Sequence, residues 1–248
     1  MTDHAVVSRE DWLAARVALL EREKAHTRER DALRAARLAL PWVRIDKDYI
    51  FDGPEGRVGF GDLFQGRSQL IVQHFMFGPD WEEGCPGCSL TADHVDGARL
   101  HLEQRGVSFA AISRAAWERI APFHRRMGWG FRWYSSAPSD FNFDFGVSFT
   151  PEEMARGEAI YNYRPCKPEV EEYGGTSAFF RDDDGTIFHT YSTFGRGDEA
   201  MMGIYAYLDI APLGRNETGP NRDLGDWVRH HDRYDNAAAG NHCCGAKT

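Results

Sequence analysis

The feature that most constrains this chain is the run Cys85-Pro86-Gly87-Cys88, which lies between a strand pattern and a helical pattern. Residues 69–77 read QLIVQHFMF, and an almost continuous apolar start of this kind suits a central strand buried on both faces. Residues 78–84 form a loop. Pro86 fits the first helical position, where its missing N–H would have had no partner. The helix that it opens runs to about residue 105, with Thr91, Val95, Ala98 and Leu102 on one face and Gly106 as its stop. Residues 107–112 (VSFAAI) form the next strand. Strand, helix, short turn and strand make a βαβ unit, so the two strands are expected to be adjacent and parallel with a right-handed crossover.

The rest of the chain extends this frame. Ser8 caps a helix that can continue to about residue 40, where Pro41 stops it. Residues 21–31 are nearly all charged and cannot be deeply buried. They form one long surface helix or two shorter ones, with a solvated face as the plainer reading and a dimer arm as the other. Residues 42–51 read as a strand, residues 52–56 as a turn, and a short strand follows to residue 60. Residues 113–127 read as a helix capped by Ser113. Phe141, Phe143, Phe145 and Val147 alternate with other residues, which predicts a half-buried strand. Residues 150–174 look irregular. Residues 176–181 and 186–194 flank Asp182-Asp183-Asp184-Gly185, a hairpin signal. Residues 198–208 read as a last helix, and residues 237–248 as a disordered end.

The order βαβα, insertion, hairpin, α is the thioredoxin topology. The expected fold class is therefore α/β: a mixed central sheet flanked by helices. A helical extension covers residues 1–41, and a thioredoxin-like domain covers 42–215, with an insertion at about 128–175. A partly disordered tail covers residues 216–248.

Composition narrows the function classes. The chain has 248 residues and a formal net charge of −9, with no Lys/Arg-rich face to suit a nucleic acid. The N-terminus lacks the apolar core of a signal peptide, and no apolar run approaches a membrane span. The expected location is the cytoplasm, where five cysteines do not make a disulfide framework.

A thiol at a helix N-terminus meets the positive end of the helix dipole and unpaired N–H groups, both of which favour thiolate. The spacing therefore predicts Cys85 as an exposed nucleophile and Cys88 as the thiol that resolves the mixed disulfide. Glu82 and Glu83 oppose thiolate formation, and Trp81 either covers the site or packs in its loop. A metal site is the alternative. Cys85 and Cys88 would supply two ligands, with His74, His94, His242, Cys243 and Cys244 as candidates for the others. His74 on a strand is more simply a structural histidine. Position 89 is Ser, so the covalent haem motif is absent. Cys166, between Pro165 and Lys167, has a cationic setting that would lower its pKa, or is a small buried side chain. Cys243-Cys244 reads as incidental thiols in a tail, or as a relay. Residues 195–200 (GRGDEA) match a dinucleotide fingerprint only as letters, and Asp182–Asp184 is explained as a hairpin tip.

The stretch FMFGPDWEEGCPGC at 75–88 resembles the signature of a bacterial thioredoxin-like family catalogued as domain of unknown function 899. The pieces ALPW at 39–42, RRMGW at 125–129, SDFNFDF at 139–145 and FHTYST at 188–193 agree with it. The resemblance spans about residues 8–235. It implies a thioredoxin-like fold and brings no settled activity, so function has to be argued from the site. The long loop before Cys85 also resembles that of peroxiredoxins, in which a thiol attacks peroxide. One departure matters. Thioredoxins place a cis-proline before the strand that faces the active site, and Gly175-Thr176 stands there in this chain. That argues against thioredoxin-style binding of a protein substrate.

The reading is a cytoplasmic thiol–disulfide oxidoreductase or thiol peroxidase acting through Cys85 and Cys88. It uses a disulfide or peroxide substrate and an electron donor. No organic cofactor, metal, nucleic acid or membrane is expected, and a homodimer through the N-terminal helix is an option. The alternatives are a metal-binding protein on the same cysteines and a non-catalytic scaffold.

Overall fold

The apolar run before the cysteines forms the middle of a sheet. In the computed structural model, which describes residues 4–234, contacts divide the chain into two compact units at Trp42 and Val43. The first unit is helix α1 (Arg9–Leu38). Ser8 caps it, its hydroxyl accepting the Asp11 N–H at 3.1 Å. The charged stretch does not break α1, because Glu, Lys, Arg and Ala are all good helix formers. None of its residues is buried, and Trp12, Leu13, Val17 and Leu20 are exposed.

The second unit carries strands β1 (Val43–Arg44), β2 (Ile50–Gly53), β3 (Gly56–Gly59), β4 (Gln69–His74), β5 (Val107–Ser113) and β6 (Arg132–Ser135). Strands β7 (Ala159–Tyr161) and β8 (Arg164–Cys166) form a separate hairpin, and β9 (Gly175–Arg181) and β10 (Ile187–Thr193) follow. Its helices are α2 (Pro86–Gln104), α3 (Trp117–Met127), α4 (Phe141–Asp144), α5 (Pro151–Arg156) and α6 (Gly203–Ile210). The main sheet has the order β1-β10-β9-β4-β5-β6-β2-β3. Strands β4 and β5 are parallel, with Leu70 opposite Ser108 and His74 opposite Ile112. Strand β9 runs antiparallel to β4 and to β10. With α2 crossing from β4 to β5, the order β10-β9-β4-β5 is the thioredoxin fold.

Side chains alternate across the pleat, so each inner strand feeds two cores. Leu70, Val72, Ala110 and Ile112 join Phe51, Phe60, Phe64 and Phe141 on one face. Phe109 and Ala111 join Phe75, Phe77, Phe123 and Trp133 on the other. No described helix is long and apolar enough to cross a membrane.

Several sequence expectations are corrected. Residues 141–147 are not a strand. The chain turns as α4, and buried Asn142 accepts a hydrogen bond from the Ser136 hydroxyl at 2.8 Å. Four residues apart, Phe141 and Phe145 lie on one helical face with ring centroids 4.6 Å apart, while Phe143 turns away beneath the Arg114 guanidinium. A short alternating pattern fits one helical turn as well as a strand. Ser113 does not cap a helix. It ends β5, where its hydroxyl donates to the Phe75 carbonyl at 2.6 Å, and α3 begins only at Trp117. Residues 42–51 split into β1, at one edge of the sheet, and the start of β2, next to the other edge strand. Residues 150–174 hold α5, capped by Thr150, and the β7–β8 hairpin. The last helix is a 3₁₀ turn (Gly195–Met201) followed by α6. Residues 237–248 lie outside the described residues.

The α4 geometry separates two phenylalanines that a strand would bury alike. Phe141→Ala should cost about 3–5 kcal/mol in chemical denaturation, as truncation of a fully buried aromatic does. Phe143→Ala should cost no more than about a third of that. Equal losses would restore the strand.

Candidate active site

Strand β4 delivers the cysteines. Beyond His74, Phe75 and Phe77 sink into the core under α2 and α3 and fix the loop from both sides of Met76. The Cys85 N–H donates to the Met76 carbonyl at 2.9 Å. Gly84 packs so close that a Cβ there would lie 2.5 Å from the Phe75 ring. Cys85 is the N-cap of α2 and Pro86 its first residue. The Cys85 carbonyl accepts from the Ser89 N–H at 3.0 Å and from the Ser89 hydroxyl at 2.9 Å. Gln73 on β4 donates to the Cys88 carbonyl at 2.8 Å, and the Met76 N–H points at the Cys88 sulfur at 3.4 Å.

Both thiols are half-buried and neither is in a disulfide, so Cys85 is less open than the exposed nucleophile that the spacing predicts. Their environments push them apart. The Cys88 thiol donates a hydrogen bond to the Cys85 sulfur and, with help from the backbone N–H groups of Cys88 and Gly87, lowers the Cys85 pKa to about 7 against the opposing effect of burial. The same hydrogen bond, burial and the negative charge on Cys85 push Cys88 well up.

The cysteines open on a cleft of about 200 Å³. Its far wall is Gly174-Gly175, where a Cβ on Gly174 would lie 3.5 Å from the Cys88 sulfur. Gly175 is jammed against Phe194, with room for a hydrogen only: a Cβ would lie 2.4 Å from that ring. There is no cis peptide among the described residues.

Three residues of this cleft escape a reading of the sequence. Asp198 is buried, its Oδ1 lacks a hydrogen-bond partner, and burial raises its pKa to about 7 against the side-chain hydrogen bond with Thr176. Its charge adds to the forces that keep Cys88 protonated. Tyr161 donates its hydroxyl to the Gly174 carbonyl at 2.8 Å and accepts the Gly195 N–H at 3.1 Å. Leu224 closes over Gly87, with its Cδ1 3.0 Å from where a Cβ would stand. The only sequence signal for Asp198 is its place in the glycine-flanked 195–200 turn, which reads as a helix entry.

The acidic pair before Cys85 is largely answered. Glu83 pairs with Arg126 and Arg233 and lies 3.4 Å from His230, and against the opposing effect of burial the two guanidiniums hold its pKa low. His230 is buried and bonds the Gly84 carbonyl at 2.8 Å. Glu82 is exposed. Trp81 packs in its loop, its indole N–H donating to Glu171 at 3.0 Å.

The candidate metal ligands do not converge. Buried His74 bonds the Ser177 hydroxyl at 2.7 Å, and burial lowers its pKa to about 3. His94 bonds the Leu90 carbonyl and the Ile204 N–H. Among the described residues no three His, Cys, Asp or Glu side chains are grouped to hold a metal. His242, Cys243 and Cys244 lie outside the described residues. Cys166 lines a different cavity with Lys167 and Glu153. Asp182 and Asp184 each accept the Thr186 N–H at 2.9 Å, as a hairpin tip requires.

Residues 1–234 match the profile of a family described as a bacterial protein of unknown function, DUF899. No curated protein matches the sequence. Among solved structures, the chain is similar to the peroxidoxin BcpB of Mycobacterium tuberculosis, with 14% identity and a TM-score of 0.41 over 67% of this chain and 97% of that one. The bacterioferritin comigratory protein of Xanthomonas campestris gives 13% and 0.41 over 64% and 90%. A putative thiol:disulfide interchange protein DsbE of Chlorobium tepidum gives 13% and 0.39 over 66% and 94%.

Asp198 gives a pH-dependent test. Its folded pKa of about 7 lies above the unfolded value, so the folded state holds a proton that the unfolded state releases. The fold therefore loses stability as pH rises from about 4 to 7. Asp198→Asn should be more stable than the wild type at pH 8, by on the order of 1–3 kcal/mol, with the gain gone at pH 4. Urea denaturation at the two pH values measures this.

Proposed function

We propose that this chain, which belongs to the bacterial family DUF899, is a thiol–disulfide oxidoreductase with Cys85 as nucleophile and Cys88 as resolving thiol. The observation that carries the reading is the placement of two thiols at one cleft, with Cys85 at the N-cap of α2 and Cys88 one turn on. Cys85 is lowered to about 7, and Cys88 is held protonated behind it. A thiol with a pKa near ambient pH combines a large thiolate fraction with retained nucleophilicity.

In the proposed reaction the Cys85 thiolate attacks one sulfur of R–S–S–R. That S–S bond breaks, and R–S⁻ departs with the electron pair and takes a proton from solvent. Cys88 then loses its proton to Asp198, which lines the cleft and is half ionised near pH 7. The Cys88 sulfur attacks the Cys85 sulfur of the mixed disulfide and releases the second R–S⁻. Two electrons pass from the protein dithiol to the substrate, and a thiol donor restores the dithiol by the reverse exchange.

Disulfide suits the cleft better than peroxide. Breaking an O–O bond builds negative charge on oxygen, which calls for a cation or a free donor there. Among the described residues no Lys or Arg lines the cleft, the Tyr161 hydroxyl is already donated to Gly174, and the Gly87 and Cys88 N–H groups at the start of α2 are directed at the Cys85 sulfur.

Alkylation should check the roles. Cys85 should react with iodoacetamide with a midpoint near pH 7 and at least about tenfold faster than Cys88 at that pH. Cys88→Ser should accumulate a mixed disulfide with an oxidised small thiol, seen by mass spectrometry, whereas Cys85→Ser should accumulate none. Equal alkylation rates for the two thiols would refute the assignment.

A further inference from the structure

We infer that a cavity of about 570 Å³ beside the cysteine cleft, with charged side chains in its lining, is a subsite for the carboxylate of a low-molecular-weight disulfide, anchored by Arg222. This deepens the thiol–disulfide reading and rests on it. The cavity shares Gly195, Met202 and Leu224 with the cleft, so a small molecule can place its sulfurs in one and its polar arm in the other.

The site argues for a small substrate over a protein chain. An extended peptide binds by pairing its backbone with a free carbonyl and N–H beside the thiols. Here the Gly174 carbonyl is taken by the Tyr161 hydroxyl. Strand β9 is paired on both sides, with Gly175 opposite His74 and Thr176 opposite Thr193. The cleft itself is narrow, with Met76, Met202 and Leu224 among its walls. That room and polarity suit a methylene–disulfide–methylene unit.

The charges of the larger cavity select the polar arm. Arg215 is saturated by Asp209 at 2.6 Å and Glu199 at 3.0 Å, and it lies over the Tyr205 ring. Arg196 forks onto Glu199. Glu217 accepts the Tyr205 hydroxyl and the Trp227 indole N–H. Among the described residues, Arg222 is the cation of this cavity that no acidic side chain pairs. A guanidinium is a planar fork that matches a carboxylate, and such a charge-assisted pair is about twice as strong as a neutral hydrogen bond.

Arg222 is carried on a braced turn. Asp226 accepts the Asn221 N–H at 3.2 Å and the Arg222 N–H at 2.8 Å, and Asp223 accepts the Gly225 N–H at 2.8 Å. Two residues on, the same turn sets Leu224 against Gly87 of the cysteine motif. The turn that carries exposed Arg222 thus also packs against the cysteine motif, which keeps the carboxylate anchor near the reactive sulfur.

The test uses the reduced full chain in single-turnover mixing, with formation of the Cys85–Cys88 disulfide followed by mass spectrometry. The probes are glutathione disulfide, neutral hydroxyethyl disulfide and dicationic cystamine, each rate being divided by its rate with dithiothreitol. Glutathione disulfide should be favoured over hydroxyethyl disulfide by about tenfold or more, the worth of one good charge-assisted contact (~1.4 kcal/mol). Arg222→Gln should remove that preference and leave the hydroxyethyl disulfide rate unchanged, Arg222→Lys should keep part of it, and Arg222→Glu should turn it toward cystamine. Wild-type rates that do not distinguish the probes, or an Arg222→Gln variant that slows all three alike, would overturn the subsite and leave the oxidoreductase reading standing. Failure of the wild type to form the Cys85–Cys88 disulfide with any probe would instead defeat that reading, and the subsite with it.

Discussion

The burial of β4 on both faces is the constraint on which the rest depends. Its side chains feed two aromatic cores, and its backbone is paired to β5 and β9 along its length. A strand held this way cannot slip by one residue without exchanging its two sets of side chains between faces. The loop after it is pinned by Phe75 and Phe77, so the start of α2 is delivered to a fixed place. The reactive pair needs that precision. The thiol–thiol hydrogen bond that separates the two pKa values exists only while Cys85 and Cys88 keep their positions across one helical turn.

Electrostatics around the motif is local rather than global. The chain is acidic overall, and two glutamates precede Cys85, yet the thiol's pKa is lowered. Arg126 and Arg233 take up the charge of Glu83. Close pairs of opposite charge appear nearly neutral beyond a few ångströms, and solvent screens exposed Glu82. What remains close to the sulfur is the N–H-rich start of α2 and the Cys88 thiol.

The segment from 216 to 234 has a larger part than its turn-rich composition suggests. It buries Val228 and His230, covers Gly87 with Leu224 and supplies Arg233 to Glu83. With Asp198 and Tyr161 it makes the cleft a three-sided site, of which the cysteine motif is one side only. The glycines opposite the cysteines admit these neighbours because a side chain at either would enter the cleft or the Phe194 ring.

The sequence by itself determined the β4–α2–β5 unit, the β9–β10 hairpin, the position of Cys85 at a helix start and the glycines where a proline would stand in a thioredoxin. Each is a local signal: an apolar run, a proline at the first helical turn, a turn between alternating strands. Only the tertiary structure decided that residues 141–144 coil rather than extend, since Phe141 and Phe145 fit one helical face as well as a strand and the Ser136 hydroxyl holds Asn142 from outside the segment. The same holds for Asp198, Tyr161 and Leu224. They lie 76 or more residues from Cys85 in sequence and reach the cleft through the β7–β8 hairpin, the turn after β10 and the returning C-terminal segment. A carboxyl group's pKa is set by its burial, and burial belongs to the packed chain rather than to any stretch of it.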